Sequence, residues 1–274
     1  MKTVKAVILG SVMVLMAVPA FASRGRNVDV EVVSDKGSVF QLIPHKEYGA
    51  GSPEVGASKR TQVFKQYLEA KKGENYNILI RNHFSERIGV VIAIDGRNII
   101  NGKKSSLQSN EMMYIVEPYG QARLDGWRTS DDKVNRFYFT SSADSYSVRT
   151  FSDTSAMGVI AVAVFREKQR PVVLHEQERY FGKTQGAPAP SAARGEAKRA
   201  AKDEAGTGFG NEQYSPVVRV EFEPERNPVE KFLVKYEWRD ELCRKGIIQC
   251  RPEAKNRLWD SDEYAPYPPG YYMR

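Results

Sequence analysis

The ten residues Ala156–Phe165 read AMGVIAVAVF, and Val90–Ile94 read VVIAI. Neither run holds a charged or hydrogen-bonding side chain, so neither can turn a face to water. Both are shorter than the roughly 20 apolar residues that cross a bilayer. Their β-branched content favours strand over helix. They are expected to form central strands covered on both faces, with the small Ala93, Ala161 and Ala163 admitting close neighbours.

The rest of the chain repeats apolar and polar residues with period two, the pattern of half-buried strands. Val28, Val30 and Val32 alternate with Asp29 and Glu31, then the turn Asp35-Lys36-Gly37 leads to Val39–Ile43. Gln62–Ala70 runs into Lys71-Lys72-Gly73-Glu74, after which Tyr76, Ile78 and Ile80 share one face. Further strands are expected at Met112–Glu117, Ala122–Arg128, Asn135–Thr140, Val218–Phe222 and Phe232–Tyr236. Short strands separated by Gly, Asn, Asp and Ser predict an all-β antiparallel β-sandwich, jelly-roll-like, with a short C-terminal helix at Trp238–Lys245. Asp95-Gly96 fits a tight hairpin turn, since both residues tolerate positive φ. Asp95 is therefore expected to face solvent or bond its own backbone.

Two segments lack the large apolar residues that offset ordering entropy. One is the Ala/Gly/Pro-rich stretch at about 182–212, expected to be a disordered insert in a single domain spanning 27–250. The other is the Tyr/Pro-rich tail 251–274, suited to an extended, polyproline-like conformation. The first 22 residues have a basic start (Lys2, Lys5), an apolar run and Ala20-Phe21-Ala22, which read as a secretory signal cleaved after Ala22. No transmembrane span remains after cleavage, and the expected location is periplasmic or extracellular. Cys243 and Cys250 are the two cysteines, and in an oxidising compartment they are expected to pair as a disulfide. His45, His83 and His175 are scattered singly, so no metal set and no cofactor motif is read.

Loss of the signal lowers the formal net charge from +7 to +5, leaving 39 basic against 34 acidic side chains. These charges are interspersed, unlike the basic face or arm of a nucleic-acid binder.

The strings VVIAIDGRNIINGKKS, GWRTSDDKVNRFYFTSSADSYSVRT and AMGVIAVAVF together resemble an uncharacterised family of secreted bacterial proteins with a β-sandwich-like core. The resemblance rests on Asp95-Gly96, Gly126-Trp127-Arg128, Arg136-Phe137-Tyr138-Phe139, Ser145-Tyr146 and Gly158-Val159-Ile160, in that order. It covers roughly Tyr67 to Phe165, with a weaker echo at Val217–Ile247. It implies a fold and a secreted location, and no activity.

No catalytic set stands out. Thr140–Tyr146 is rich in hydroxyls without a Gly-x-Ser-x-Gly elbow or a nearby base. Candidate contact residues are Trp127, Arg128, Asp131 and Asp132, where an indole face could stack on a sugar and the charged groups bond its hydroxyls. A Trp in a sandwich is more often a core residue with its N–H satisfied, and that reading competes. The tail tyrosines Tyr264, Tyr267, Tyr271 and Tyr272, among prolines, suit docking into a partner's groove. The chain is thus expected to be a non-enzymatic binding or structural protein of the bacterial cell envelope, its partner an envelope protein or polysaccharide. Recognition of a polysaccharide as a carbohydrate-binding module is the alternative. A hydrolase using Asp95, Asp125 or Asp131 with Glu117 is the least favoured reading.

Overall fold

The computed structural model describes residues 23–24, 27–45, 52–53, 61–169 and 204–250. The expected signal, residues 182–203 of the expected insert and the tail fall outside them. The chain divides into two compact units, Met1–Arg239 and Asp240–Arg274.

Fifteen strands follow one another among the described residues: β1 (Ser23–Arg24), β2 (Val28–Ser34), β3 (Leu42–Pro44), β4 (Ser52–Pro53), β5 (Gln62–Ala70), β6 (Asn75–Asn82), β7 (Ile88–Ile94), β8 (Arg97–Asn98), β9 (Tyr114–Val116), β10 (Gln121–Leu124), β11 (Gly126–Arg128), β12 (Lys133–Ser141), β13 (Val159–Arg166), β14 (Ala205–Tyr214) and β15 (Glu230–Trp238). They form two sheets, giving the all-β, sandwich-like fold that the alternation predicts. The first sheet runs β1-β2-β6-β12-β11, with β10 against β6 and β14 against β12. The second runs β3-β5-β15-β13-β7-β8, with β4 against β5 and β9 against β7. Their pairings are antiparallel except one: β5 and β15 run parallel along their full lengths, with Phe64 level with Phe232. Those two rings stack at 5.0 Å.

Alternation decides which side chains fill the space between the sheets. Val28, Val30, Val32, Tyr76, Ile78, Ile80, Phe137 and Phe139 come from the first sheet; Val90, Ile92, Ile94, Ile160, Val162, Val164, Phe232, Val234 and Tyr236 come from the second. The doubly apolar runs are β7 and β13, paired in the middle of the second sheet from Ile160↔Ile94 to Arg166↔Ile88. All seven residues of β7 are buried. On the outer face Val91, Ala163 and Phe165 form a separate cluster under Leu107 and Met113. That cover is held in place by Asn98, which bonds Met112 O at 2.8 Å, and by Glu111, which accepts from Ser106 N and Gln108 N, both at 2.9 Å. Gly89 admits it closely: a Cβ there would lie 2.4 Å from Met113 Sδ and 2.7 Å from the Phe222 ring.

Four expectations need correction. Val218–Phe222 alternates as a strand should, yet it belongs to neither sheet, and Val218 is 86% exposed. The expected disordered stretch 182–212 overlaps β14, which pairs with β12 from Ser141↔Ala205 to Lys133↔Tyr214. Its Gly206, Gly208 and Gly210 recur with period two, and a Cβ on Gly208 would sit 2.2 Å from the Tyr138 ring across the ladder. The ring supplies the cover that glycine lacks, so the strand is ordered by its neighbour. The expected Ala122–Arg128 strand is also broken at Asp125, between β10 and β11.

Asp95 is the fourth correction. It does sit with Gly96 at the β7–β8 hairpin, with φ of 50° and 77°. Its carboxylate, however, points inward and is 1% exposed. Oδ1 accepts from Gly158 N at 2.8 Å and Tyr236 Oη at 2.5 Å, and Oδ2 from Thr207 N at 2.8 Å. Thr207 Oγ1 lies 2.7 Å from both Tyr236 Oη and Tyr76 Oη. Asp95, Gly158 and Tyr236 belong to the second sheet and its turns, Tyr76 and Thr207 to the first, so this network ties the two layers. Buried polar groups so fully bonded fix one arrangement of the sheets.

In the C-terminal unit, helix α2 (Arg239–Arg244) agrees with the expected short helix. Gly246 at φ 67° stops it, its N–H bonding Cys243 O at 2.9 Å. The expected Cys243–Cys250 disulfide is present, with Cα atoms 5.6 Å apart. Closing so short a loop contributes about 2 kcal/mol on chain-entropy grounds.

Burial raises the Asp95 pKa from 3.8 to about 6, although the Tyr236 hydroxyl, the Thr207 and Gly158 amides and the Lys235 ammonium favour the charged form. The folded chain therefore holds a proton between about pH 4 and 6 that the unfolded chain has released. Stability from this group is full below pH 4 and is lost as pH rises through 6, a difference of at most about 3 kcal/mol. Urea unfolding at pH 5 and pH 7.5 should show a pH-dependent component that vanishes in Asp95→Asn. That variant should also lose about 1–3 kcal/mol, because its amide N–H faces another donor. An identical pH profile for both proteins would contradict this account.

Candidate functional site

The loop after β12 tightens into a 3-10 turn, Ser142–Asp144, and then helix α1, Tyr146–Phe151. Ser145 caps that helix: its Oγ accepts from Val148 N at 3.3 Å and donates to Ser142 O at 2.7 Å. At the other end Ser152 adopts the left-handed conformation, φ 53°, and Ser147 Oγ donates to Asp153 O at 2.9 Å. Six residues are too few for a stable isolated helix; these side-chain bonds and aromatic packing hold it.

Tyr146 lies at the junction. Its ring packs 4.6 Å from Trp127, 5.2 Å from Phe209 in a stacked geometry, and 5.6 Å from Phe151 edge-on. Together with Tyr138 from β12, these elements form a groove of about 320 Å³ lined by Tyr138, Asp144, Tyr146, Arg149, Thr150 and Phe209. Phe209 is 41% exposed there.

The charges around it differ in how they are committed. Arg97 is engaged, bonding Asp153 at 2.6 Å with its guanidinium 4.1 Å over the Phe151 ring. Asp144 accepts from Ser141 Oγ at 2.9 Å. Arg149 is exposed, and its guanidinium makes no hydrogen bond or ion pair among the described residues. The groove thus offers ring faces, a free planar cation, a carboxylate and hydroxyls. That set can stack on a flat or saturated ring and bond an anionic substituent bidentately.

The residues singled out in the sequence are placed differently. Trp127 is 2% exposed, and its Nε1 donates to Gly208 O at 3.0 Å. Tyr146 and Phe137 pack against it, and it belongs to the buried core. It stands one ring behind the groove. Arg128 bonds Tyr114 Oη at 2.8 Å, Ser130 O at 3.0 Å and Ser215 O at 2.9 Å, rather than a neighbouring acid. Asp131 is exposed and faces Arg219 at 3.0 Å, and Asp132 accepts from Ser130 Oγ at 2.6 Å. These three fasten a loop. Tyr264, Tyr267, Tyr271 and Tyr272 lie outside the described residues. The groove residues Tyr138 and Tyr146 stood within the strings carrying the family resemblance without being singled out. Phe209 lies in a stretch whose composition suggests disorder; the Gly-x-Gly-Phe-Gly alternation around it is the signal that marks a strand.

A second depression, about 740 Å³, is walled by Arg87, Glu167, Lys168 and Val220–Glu223. Its cations are paired: Arg87 bonds Glu167 at 2.5 and 3.0 Å, and Lys168 bonds Glu223 at 2.8 Å. Among the described residues no three His, Cys, Asp or Glu side chains converge as a metal set, and no helix is long and apolar enough to cross a membrane.

If Trp127 buttresses the groove from behind, Trp127→Phe should keep a ring against Tyr146 while losing the bond to Gly208 and part of the indole's packing volume. A destabilisation of about 1–2 kcal/mol in urea is expected, with binding at the groove little changed. A fully stable variant would remove Trp127 from this role. No family model, curated protein or solved structure matches this chain.

Proposed function

We propose that the protein is a non-enzymatic binding protein of the bacterial cell envelope, and that the groove of Tyr138, Tyr146 and Phe209 recognises an acidic polysaccharide of that envelope. The observation that carries this reading is the exposed Phe209 ring stacked on Tyr146, beside an Arg149 with no partner among the described residues. Sugar rings present C–H faces that pack on aromatic rings, and a uronate-type carboxylate suits a planar guanidinium. Asp144 and Thr150 also line the groove and carry groups able to bond sugar hydroxyls. The resemblance to secreted bacterial sandwiches and the disulfide support an envelope location. What supports the non-enzymatic part of the proposal is the state of the groove's acid among the described residues: Asp144 is exposed and bonded to a serine, unlike the buried, tuned carboxylate of an acid–base pair.

Calorimetric titration against acidic and neutral envelope glycans tests it. Acidic glycans should bind, weakening as salt rises because a single exposed cation contributes. Phe209→Ala should lower affinity about 10-fold or more, and Arg149→Ala should remove the preference for acidic over neutral glycans while leaving stacking intact. A flat titration across the whole panel refutes the proposal.

A further inference from the structure

Val218–Phe222 has the sequence of a strand and the surroundings of a loop. From Ser215 to Glu223 the chain runs without turn or bend. Its odd-numbered residues are tied inward at both ends: Ser215 N bonds Asp132 O at 2.7 Å and Val217 N bonds Asp131 O at 2.8 Å, while Lys168 N bonds Glu223 O at 2.8 Å and, just beyond, Glu225 N bonds Arg166 O at 2.8 Å; Arg219 and Glu221 between them make no backbone hydrogen bond among the described residues. In an extended chain successive residues direct their amide and carbonyl to opposite edges. The even-numbered Val218, Val220 and Phe222 therefore aim theirs outward. Those backbone groups make no hydrogen bond among the described residues. Val218 is 86% exposed and Val220 51% exposed. An open edge carrying β-branched apolar residues is a template for another strand.

The sequence of this edge names its partner. It reads Pro216-Val217-Val218-Arg219-Val220-Glu221-Phe222-Glu223-Pro224. Laid antiparallel on a second copy of itself about Val220, it sets Val220 opposite Val220, Val218 opposite Phe222, and Arg219 opposite Glu221 twice over. The outward backbone groups belong to the even residues, so Val218, Val220 and Phe222 fall at the hydrogen-bonded positions, making about six bonds. Arg219 and Glu221 then occupy the non-hydrogen-bonded positions, where side chains approach most closely and opposite charges help. Pro216 falls opposite Pro224, and with no N–H on either the ladder stops at both ends. Among the described residues Arg219 is held within its own chain by an exposed pair with Asp131, which contributes little and is readily exchanged.

We propose that Val218–Phe222 is a homodimerisation edge, pairing antiparallel with the same residues of a second copy about a two-fold axis at Val220. Such an interface is isologous and closes on itself. It is also short, so the dimer belongs to the weak class and forms at high protein concentration.

Sedimentation equilibrium of the full chain up to roughly 300 µM, the range appropriate to a weak interface, is the test. The wild type should associate to a dimer and no further. Arg219→Glu and Glu221→Arg should each oppose like charges in both symmetric pairs and weaken association about 10-fold or more. Mixing the two single variants should restore a dimer, as should Arg219→Glu/Glu221→Arg on one chain. Arg219→Glu and the double variant share the loss of the Asp131 pair, so rescue by the second change separates interface from local effects. Thermal melts confirm that each variant is folded. A wild type that stays monomeric, dimerisation insensitive to charge reversal, or failure of the mixed variants to pair would each overturn the proposal.

Discussion

A single carboxylate organises the space between the sheets. Asp95 collects two amide hydrogens and the Tyr236 hydroxyl, and through Thr207 it reaches Tyr76 on the opposite layer. Hydrophobic contact between two sheets is nondirectional; it would accept several angles and offsets of one layer on the other. These bonds are directional and surrounded by Phe139, Phe137 and the β-branched core. They select one offset, because any slip leaves a buried acid short of donors. The same constraint fixes β14, since Thr207 brings both its amide and its hydroxyl to the network.

From there a chain of rings leads outward. Tyr76 stacks on Phe137 and Phe139, Phe137 meets Trp127 edge-on, Trp127 leans on Tyr146, and Tyr146 stacks on Phe209 at the surface. The groove is thus the outer end of the core rather than a loop cluster laid upon it. A binding surface supported this way has little freedom left to lose when a ligand docks, which favours affinity. Helix α1, capped by Ser145 and held by Tyr146, sets the position of Arg149 against those rings.

Much of this was legible in the residues. Alternation and the Lys-Lys-Gly-Glu turn bound β5, and β7 and β13 are central because their apolar runs hold no side chain that could face water. Two failures have the same origin. Ala205–Tyr214 was judged by composition, which counts glycine as lost burial, whereas Tyr138 and Met157 on neighbouring elements supply that burial. Val218–Phe222 was judged by alternation, which says that a segment is fit to be a strand and nothing about whether a partner lies alongside. Asp95 shows a third limit. The Asp-Gly turn was identified correctly, but the direction of its side chain depends on Thr207 and Tyr236, more than a hundred residues away, and no local pattern carries that. Trp127 and Arg128 drew notice because such residues often touch ligands; here their polar groups are spent on Gly208, Ser130 and Ser215.

The parallel pairing of β5 with β15 has a consequence for how the chain reaches its fold. Phe64 must find Phe232 across most of the polypeptide, a contact of very large sequence separation, and such contacts slow folding because loop closure precedes their reward. Until Glu230–Trp238 arrives, β5 and β13 both expose long, apolar, unsatisfied edges where β15 belongs. A growing or truncated chain lacking that last strand is consequently a sticky species, and the second sheet closes only when nearly the entire polypeptide is available to it.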